Sequence, residues 1–228
     1  MTQPPLVVDI DGTLTHPQRE GIDPRVFDRL AEWPAPVVIA TGKSAPYPTA
    51  LCQFLGLPER VIAETGGMVI TTEATETLVD PTAVDAVKAA YQEAGYDLGW
   101  GDVDLVNRWR ETELAVARDR PLEPLKRIAE QEGFEIVDTG YAYHVKHPAA
   151  SKGHGLETIG DLLDVDPTAF VAIGDSDNDI TLFETAGYGF AVANAAERAK
   201  AAADEVLEAP HATGTLAALE RITETGQR

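Results

Sequence analysis

Leu6-Val7-Val8-Asp9-Ile10-Asp11-Gly12-Thr13-Leu14-Thr15 is a short apolar run that ends in two carboxylates and a glycine. A run of this length, rich in β-branched residues and bounded by a turn signal, predicts a buried strand. Asp9 and Asp11 stand two residues apart, so on a strand their side chains point the same way. Two carboxylates at the end of a buried strand are costly unless a cation offsets their charge. The spacing therefore points to a magnesium site containing a nucleophilic or acid/base carboxylate. An ordinary strand-to-turn segment and a calcium loop are the competing readings. Thr13 and Glu20 fall at the fifth and twelfth positions of such a loop, but Leu14 stands where it needs glycine, and a strand rather than a helix precedes it.

The rest of the chain narrows the choice. Its 228 residues can bury a sizeable core, as one domain or as a core with an insert. No run of 18 or more apolar residues suggests a membrane span, and no signal peptide is read at the N-terminus. The one cysteine, Cys52, cannot form an internal disulfide and reads as core filling on a helix, which fits a cytoplasmic protein. A formal net charge of −20 argues against nucleic acid and anionic membranes as partners. The acidic residues are dispersed, and only six of the 18 basic residues are lysine. This composition resembles that of proteins from salt-loving archaea, where molar salt shortens the Debye length to about 3 Å and relieves self-repulsion.

Strand and helix alternate through the first third. Strands are predicted at Leu6–Asp9, Val37–Ala40 and Arg60–Ala63, and a short hairpin strand from Met68 to Thr72. A helix capped by Asp23 with Pro24 follows the first strand, and another spans about Pro46 to Leu55. The alternation then breaks. A helix from Thr82 to Ala94, a strand at Glu113–Ala117, a helix from Leu122 to Glu132 and two strands at Phe134–Asp138 and Tyr141–Lys146, joined by a Thr139-Gly140 turn, predict a small α+β module. Alternation resumes after Ser151, with helices near 153–163, 178–186, 195–203 and 213–224 and strands at Phe170–Ile173 and Tyr188–Val192. The fold class is α/β: a Rossmann-like, doubly wound parallel sheet from residues 1–78 and 150–228, with an α+β insert over 79–149.

Four polar clusters follow predicted core strands or open a helix after one, where an open parallel sheet binds ligands. They are Asp9 with Asp11; Thr41-Gly42; Lys152 in Ser151-Lys152-Gly153; and Gly174-Asp175-Ser176-Asp177-Asn178-Asp179. Singly, each has a plain reading as a cap, a surface lysine or a solvated turn. Jointly and in this order they closely resemble the four motifs of the haloacid dehalogenase superfamily of phosphohydrolases. That resemblance implies Asp9 as nucleophile, forming an aspartyl-phosphate, and Asp11 as acid and base. It implies Mg2+ held by Asp9, the backbone carbonyl of Asp11, Asp175 and Asp179, the last directly or through water. Thr41 and Gly42 would bind the phosphoryl group, Lys152 would offset its charge, and Asn178 would orient Lys152 or a metal ligand. Asp177 reads as a turn residue.

The insert between the second and third motifs resembles the C2 cap of the Cof-like branch, in its smaller B form. With the halophile-like composition, this is similar to the archaeal phosphoglycolate phosphatases and implies a small phosphorylated acid, 2-phosphoglycolate first, as the substrate. A sugar-phosphate phosphatase or a phosphomutase of the same superfamily is the enzymatic alternative. A receiver-like phospho-aspartate signalling domain is the non-enzymatic one, although receivers are about half this length. A monomer or homodimer is expected. In the insert, Arg108 and Arg110 are the best candidates for a substrate carboxylate, set against plain salt bridges with Glu111 and Glu113. Lys43 could meet a phosphate, the cap or solvent. His16 and His147 read as peripheral, and His144 as structural or on the cap surface.

Overall fold

The computed structural model describes residues 3–18, 21–139 and 141–225. Glu20 and Gly140, named in the calcium-loop and hairpin-turn readings, lie outside them. The chain begins with β1 (Leu6–Asp9), which becomes a central strand. Helix α1 (Arg25–Ala31) leads to β2 (Val37–Ala40), and α2 (Pro46–Leu55) leads to β3 (Arg60–Ala63). These three strands pair in parallel. The next two, β4 (Met68–Thr71) and β5 (Thr75–Thr77), turn back antiparallel and close one edge.

The chain then leaves this sheet. It forms α3 (Pro81–Glu93), β6 (Glu113–Ala117), α4 (Leu122–Gln131), β7 (Glu135–Asp138) and β8 (Ala142–Lys146). The three strands make a separate antiparallel sheet in the order β6-β8-β7. Val84, Val87 and Tyr91 of α3 and Leu125 and Ile128 of α4 pack on Leu114, Val116 and Val145 in a core of their own. The return through α5 (Lys152–Leu163) adds β9 (Val171–Gly174), α6 (Ile180–Thr185), β10 (Tyr188–Ala191), α7 (Glu197–Ala202), β11 (Glu205–Val206) and α8 (His211–Thr225). The large sheet runs β11-β10-β9-β1-β2-β3-β4-β5.

Both faces of the large sheet are covered, which explains its unbroken apolar strands. Leu6, Val8, Val37 and Ile39 face α1, α2 and α8, packing with Leu30, Cys52 and Leu219. Val7, Val38, Ala40 and Ile62 point to the other face, against Leu156, Ile159 and Leu182 of α5 and α6. The expected α/β sheet with a small inserted module is therefore observed. Asp23 Oδ1 accepts from Arg25 N at 3.0 Å just ahead of α1, whose cap position falls on Pro24, one residue later than expected.

Three local expectations need correction. The helix expected from Asn178 begins at Ile180, after a 3-10 turn over Asp177–Asp179. The Asp179 carboxylate accepts from the backbone N–H groups of Asp175 and Ser176 at 3.0 and 2.9 Å, which holds the loop in a tight turn. Two strands were not foreseen. β5 is three exposed residues, Thr-Glu-Thr, and β11 is two residues long, so neither carries an apolar pattern.

Candidate active site

Chain order sends β1 to β2 on one side and, much later, brings β9 to the other. That reversal opens a crevice at the carboxyl ends of β1, β2 and β9. Asp9 is the last residue of β1, Thr41 follows β2, Asp175 follows β9, and Lys152 is the first residue of α5. Residues as far apart in the chain as Asp9 and Lys152, 143 positions, thus converge.

Lys152 is fully buried, and its Nζ lies 2.7 Å from Asp9 Oδ1 and 2.6 Å from Asp179 Oδ1. The Ser151 hydroxyl fixes the start of its helix by accepting from His154 N at 3.1 Å. Carboxylate oxygens of Asp9, Asp175 and Asp179 all lie within 4.8 Å of one another. Two glycines make that approach possible. A Cβ on Gly12, whose φ is +80°, would stand 1.9 Å from Asp175 Oδ2, and one on Gly174 would stand 2.5 Å from Asp179 Cγ.

The electrostatics are unbalanced. Burial, reinforced by the Asp179 and Asp175 carboxylates, raises the Asp9 carboxyl well above its ordinary range, although Lys152 works against the shift. Burial and then the Asp179 charge push Asp175 up to about 7. For Lys152, burial alone would favour the neutral amine, but Asp179 and Asp9 outweigh it and hold the ammonium above its usual range. One ammonium among three carboxylates leaves excess negative charge, and Asp175 Oδ1 is buried with no hydrogen-bond partner. An all-oxygen donor set with an orphaned carboxylate atom fits a hard divalent cation.

Asp11 lies beyond the end of β1, so it does not share the strand face that its spacing suggested. It still lines the same cavity, and its exposed carboxylate pairs with Lys43 Nζ at 2.9 Å. The Thr41 hydroxyl accepts from Lys43 N at 3.1 Å, and its own proton remains available to an acceptor. Asn178 Oδ1 accepts from Ser176 Oγ at 2.8 Å, while the hydrogen bonds of Lys152 Nζ go to Asp9 and Asp179. Asp177, at the edge of the same cavity, accepts from Arg198 at 2.8 Å. His16 accepts from Gln18 N, and His147 packs edge-on against Phe134, both away from the carboxylate cluster.

The cavity over this floor has a volume of about 640 Å³. The inserted module supplies its roof through Arg110, Asp138, Tyr141 and His144. Buried polar residues join roof and floor. Glu64 Oε2 accepts from Thr112 N at 2.7 Å and Thr112 Oγ1 at 2.8 Å, and Glu111 N also donates to this carboxylate. Glu64 and Thr65 both take left-handed backbone, at φ 50° and 56°. Thr65 Oγ1 donates to Glu113 Oε2 at 2.9 Å. The other Glu113 oxygen takes Arg110 Nη1 at 2.5 Å and His144 Nδ1. Burial would raise the Glu113 carboxyl, but His144 and Arg110 hold it below its usual range. Sequence reasoning overlooked Glu64, Thr65 and the inward placement of His144, whereas the Arg110–Glu113 pair is one of the plain salt bridges it had set against substrate binding. The available signal was Glu113 itself, a carboxylate heading the otherwise apolar strand Glu113-Leu114-Ala115-Val116-Ala117.

A family profile for haloacid dehalogenase-like hydrolase matches residues 122–219. A phosphoglycolate phosphatase of Natronomonas pharaonis is 60% identical over 95% of this chain and 96% of its own length. The chain belongs to the haloacid dehalogenase-like hydrolases. A second family member, a phosphoglycolate phosphatase of Halobacterium salinarum, is 53% identical over 96% of this chain and 97% of its own. A solved structure from Thermoplasma acidophilum superposes with a TM-score of 0.81 at 23% identity, covering 96% of this chain and 99% of that one, and so shares its fold. The dispersed acidic composition matches the halophilic archaea that supply these first two relatives. Among the described residues of this hydrolase, no helix is long and apolar enough to cross a membrane.

Proposed function

We propose that this hydrolase is a Mg2+-dependent phosphomonoesterase that converts 2-phosphoglycolate to glycolate and phosphate through an aspartyl-phosphate on Asp9. One observation carries the reading: buried Lys152 bridges Asp9 and Asp179 beside the unpartnered oxygen of Asp175. The names of the close relatives support the substrate.

In this reading an Asp9 oxygen forms a bond to phosphorus while the ester P–O bond breaks. Asp11 gives its proton to the departing glycolate oxygen. A water then attacks phosphorus and yields its proton to Asp11, and the Asp9–phosphorus bond breaks. Asp11 must leave Lys43 to do this, and the pair is exposed enough for its separation to cost little. The Thr41 hydroxyl and the backbone at Gly42 receive phosphoryl oxygens, and the Lys152 ammonium offsets charge gathering between Asp9 and the phosphoryl group. Mg2+, held by Asp9, Asp175 and the Asp11 carbonyl, would supply the neutralisation that lets an anion attack an anion. Asp179 has Lys152 on one oxygen and two backbone N–H groups on the other, which favours its reaching the ion through water.

Residues 79–149 act as a cap that excludes bulk water and contributes specificity, while 1–78 and 150–228 form the catalytic core. We propose a cytoplasmic setting for the reaction, a reading that the single buried thiol of Cys52 supports. The test is phosphate release from 2-phosphoglycolate with and without Mg2+ at low and molar KCl. Turnover confined to the Mg2+ samples supports the reading, and undiminished turnover in chelator overturns it.

A further inference from the structure

The proposed substrate carries a second anion beyond its phosphate, and the cavity floor is lined with carboxylates. A terminal carboxylate needs a cation in the roof or walls. Around the cavity Asp138 pairs with Arg118 and Asp177 with Arg198, while Lys43, which Asp11 releases in the proposed reaction, is an exposed point charge without the planar fork that suits a carboxylate. Arg110 differs. Its side chain is only 7% exposed. Nε donates to Val106 O at 3.1 Å, and Nη1 donates to Gly42 O at 3.0 Å and to Glu113 Oε1. A guanidinium has five N–H donors, and among the described residues no acceptor takes the two on Nη2. Nη2 is thus the edge of the guanidinium that meets solvent, in a residue that lines the cavity, and it is open to an acceptor there.

Resting on the proposed phosphatase reading, we infer that Arg110 is the specificity-determining residue that receives the carboxylate of a short phosphorylated acid, through its Nη2 edge. The contact to Gly42 O sets the guanidinium one residue from Thr41, so the two anionic ends of a small substrate fall between Arg110 and the phosphoryl-binding loop. Glu113 is a positioning residue. It is buried, receives Thr65 Oγ1 from the core, and fixes both Arg110 and the His144 ring. Since the ionised Glu113 accepts from Nδ1, His144 is left with Nε2 as its second polar atom on the same cavity wall. At molar salt the long-range field is screened. Selection of a trianionic substrate by this −20 protein therefore has to come from contacts of this kind.

A purely structural role, clamping roof to floor through Gly42 O, would slow all substrates together. The experiment measures kcat/KM for 2-phosphoglycolate and for 2-hydroxyethyl phosphate, which is close in size and neutral at the far end, at saturating Mg2+ and molar KCl. Arg110→Gln is expected to lower the ratio of the two values by about thirtyfold, carried mainly by KM for 2-phosphoglycolate, as loss of a charge-assisted hydrogen bond predicts. Arg110→Lys keeps the charge without the fork, so its ratio should lie between wild type and Arg110→Gln, and it serves should the glutamine variant fail to fold. A ratio within about threefold of wild type in the folded variants overturns the role of Arg110. Wild-type protein that hydrolyses neither ester overturns the phosphatase reading itself, a result seen before any variant is made.

Discussion

Lys152 is a buried ammonium held between two carboxylates in a cluster of excess negative charge, so neutralising one of them still leaves the ammonium compensated. Asp9→Asn keeps the shape of the site and one partner for Lys152, so the variant should fold. It lacks the anion that attacks phosphorus, and kcat should fall by at least about 10³-fold. Phosphate release and circular dichroism together check this, and wild-type activity in the variant would displace Asp9 as nucleophile. Asp23 offers a stability test far from the chemistry. Hydrogen bonds from the Arg25 side chain hold its carboxyl down at about 2, against roughly 3.9 in an unfolded chain. A depressed carboxyl stabilises the fold above the unfolded value and loses that contribution as pH falls toward the folded one. The gap in urea midpoint between wild type and Asp23→Ala should therefore narrow between pH 6 and pH 3; a constant gap would mean that the charge contributes nothing.

At the scale of elements, the sheet was legible because its strands are apolar runs, such as Val37-Val38-Ile39-Ala40, buried on both faces and ended by polar turns. The four polar clusters were legible for the same reason, since the end of a buried strand is where a carboxylate or hydroxyl stands out. The join between module and core left no such trace. It pairs Glu64 with residues 111 and 112, Thr65 with Glu113, and Gly42 with Arg110 across long stretches of chain, and no periodicity encodes those partners. Its role can be measured. In Glu64→Ala the backbone N–H groups of Glu111 and Thr112 lose their buried acceptor, which should cost about 2–3 kcal/mol of stability in chemical denaturation. The loosened 110–113 segment should also raise KM for the substrate. A loss below about 0.5 kcal/mol would show that water replaces Glu64 without penalty.

Charge acts on the whole molecule at two distances. The net charge of −20 repels itself over the full surface, a term that salt screens. The carboxylate cluster repels itself within 4.8 Å inside the protein, where salt screens far less and a bound cation is the effective remedy. The two can be separated by thermal unfolding. Raising KCl from 0.1 to 2 M should increase Tm in wild type and in Asp175→Asn alike, because the surface is unchanged. Mg2+ should divide them. At a hundredfold excess over Kd, a ligand that binds only the folded state adds about 2.7 kcal/mol, or roughly 5–10 °C for a chain of this size. Asp175→Asn removes a ligand and should lose most of that rise. Without Mg2+ the order should reverse or level, since the amide of that variant carries no charge to oppose Asp179 and has the size to sit against Gly12 as the Asp175 carboxylate does. Equal Mg2+ shifts in the two proteins would place the cation away from the crevice between β1 and β9.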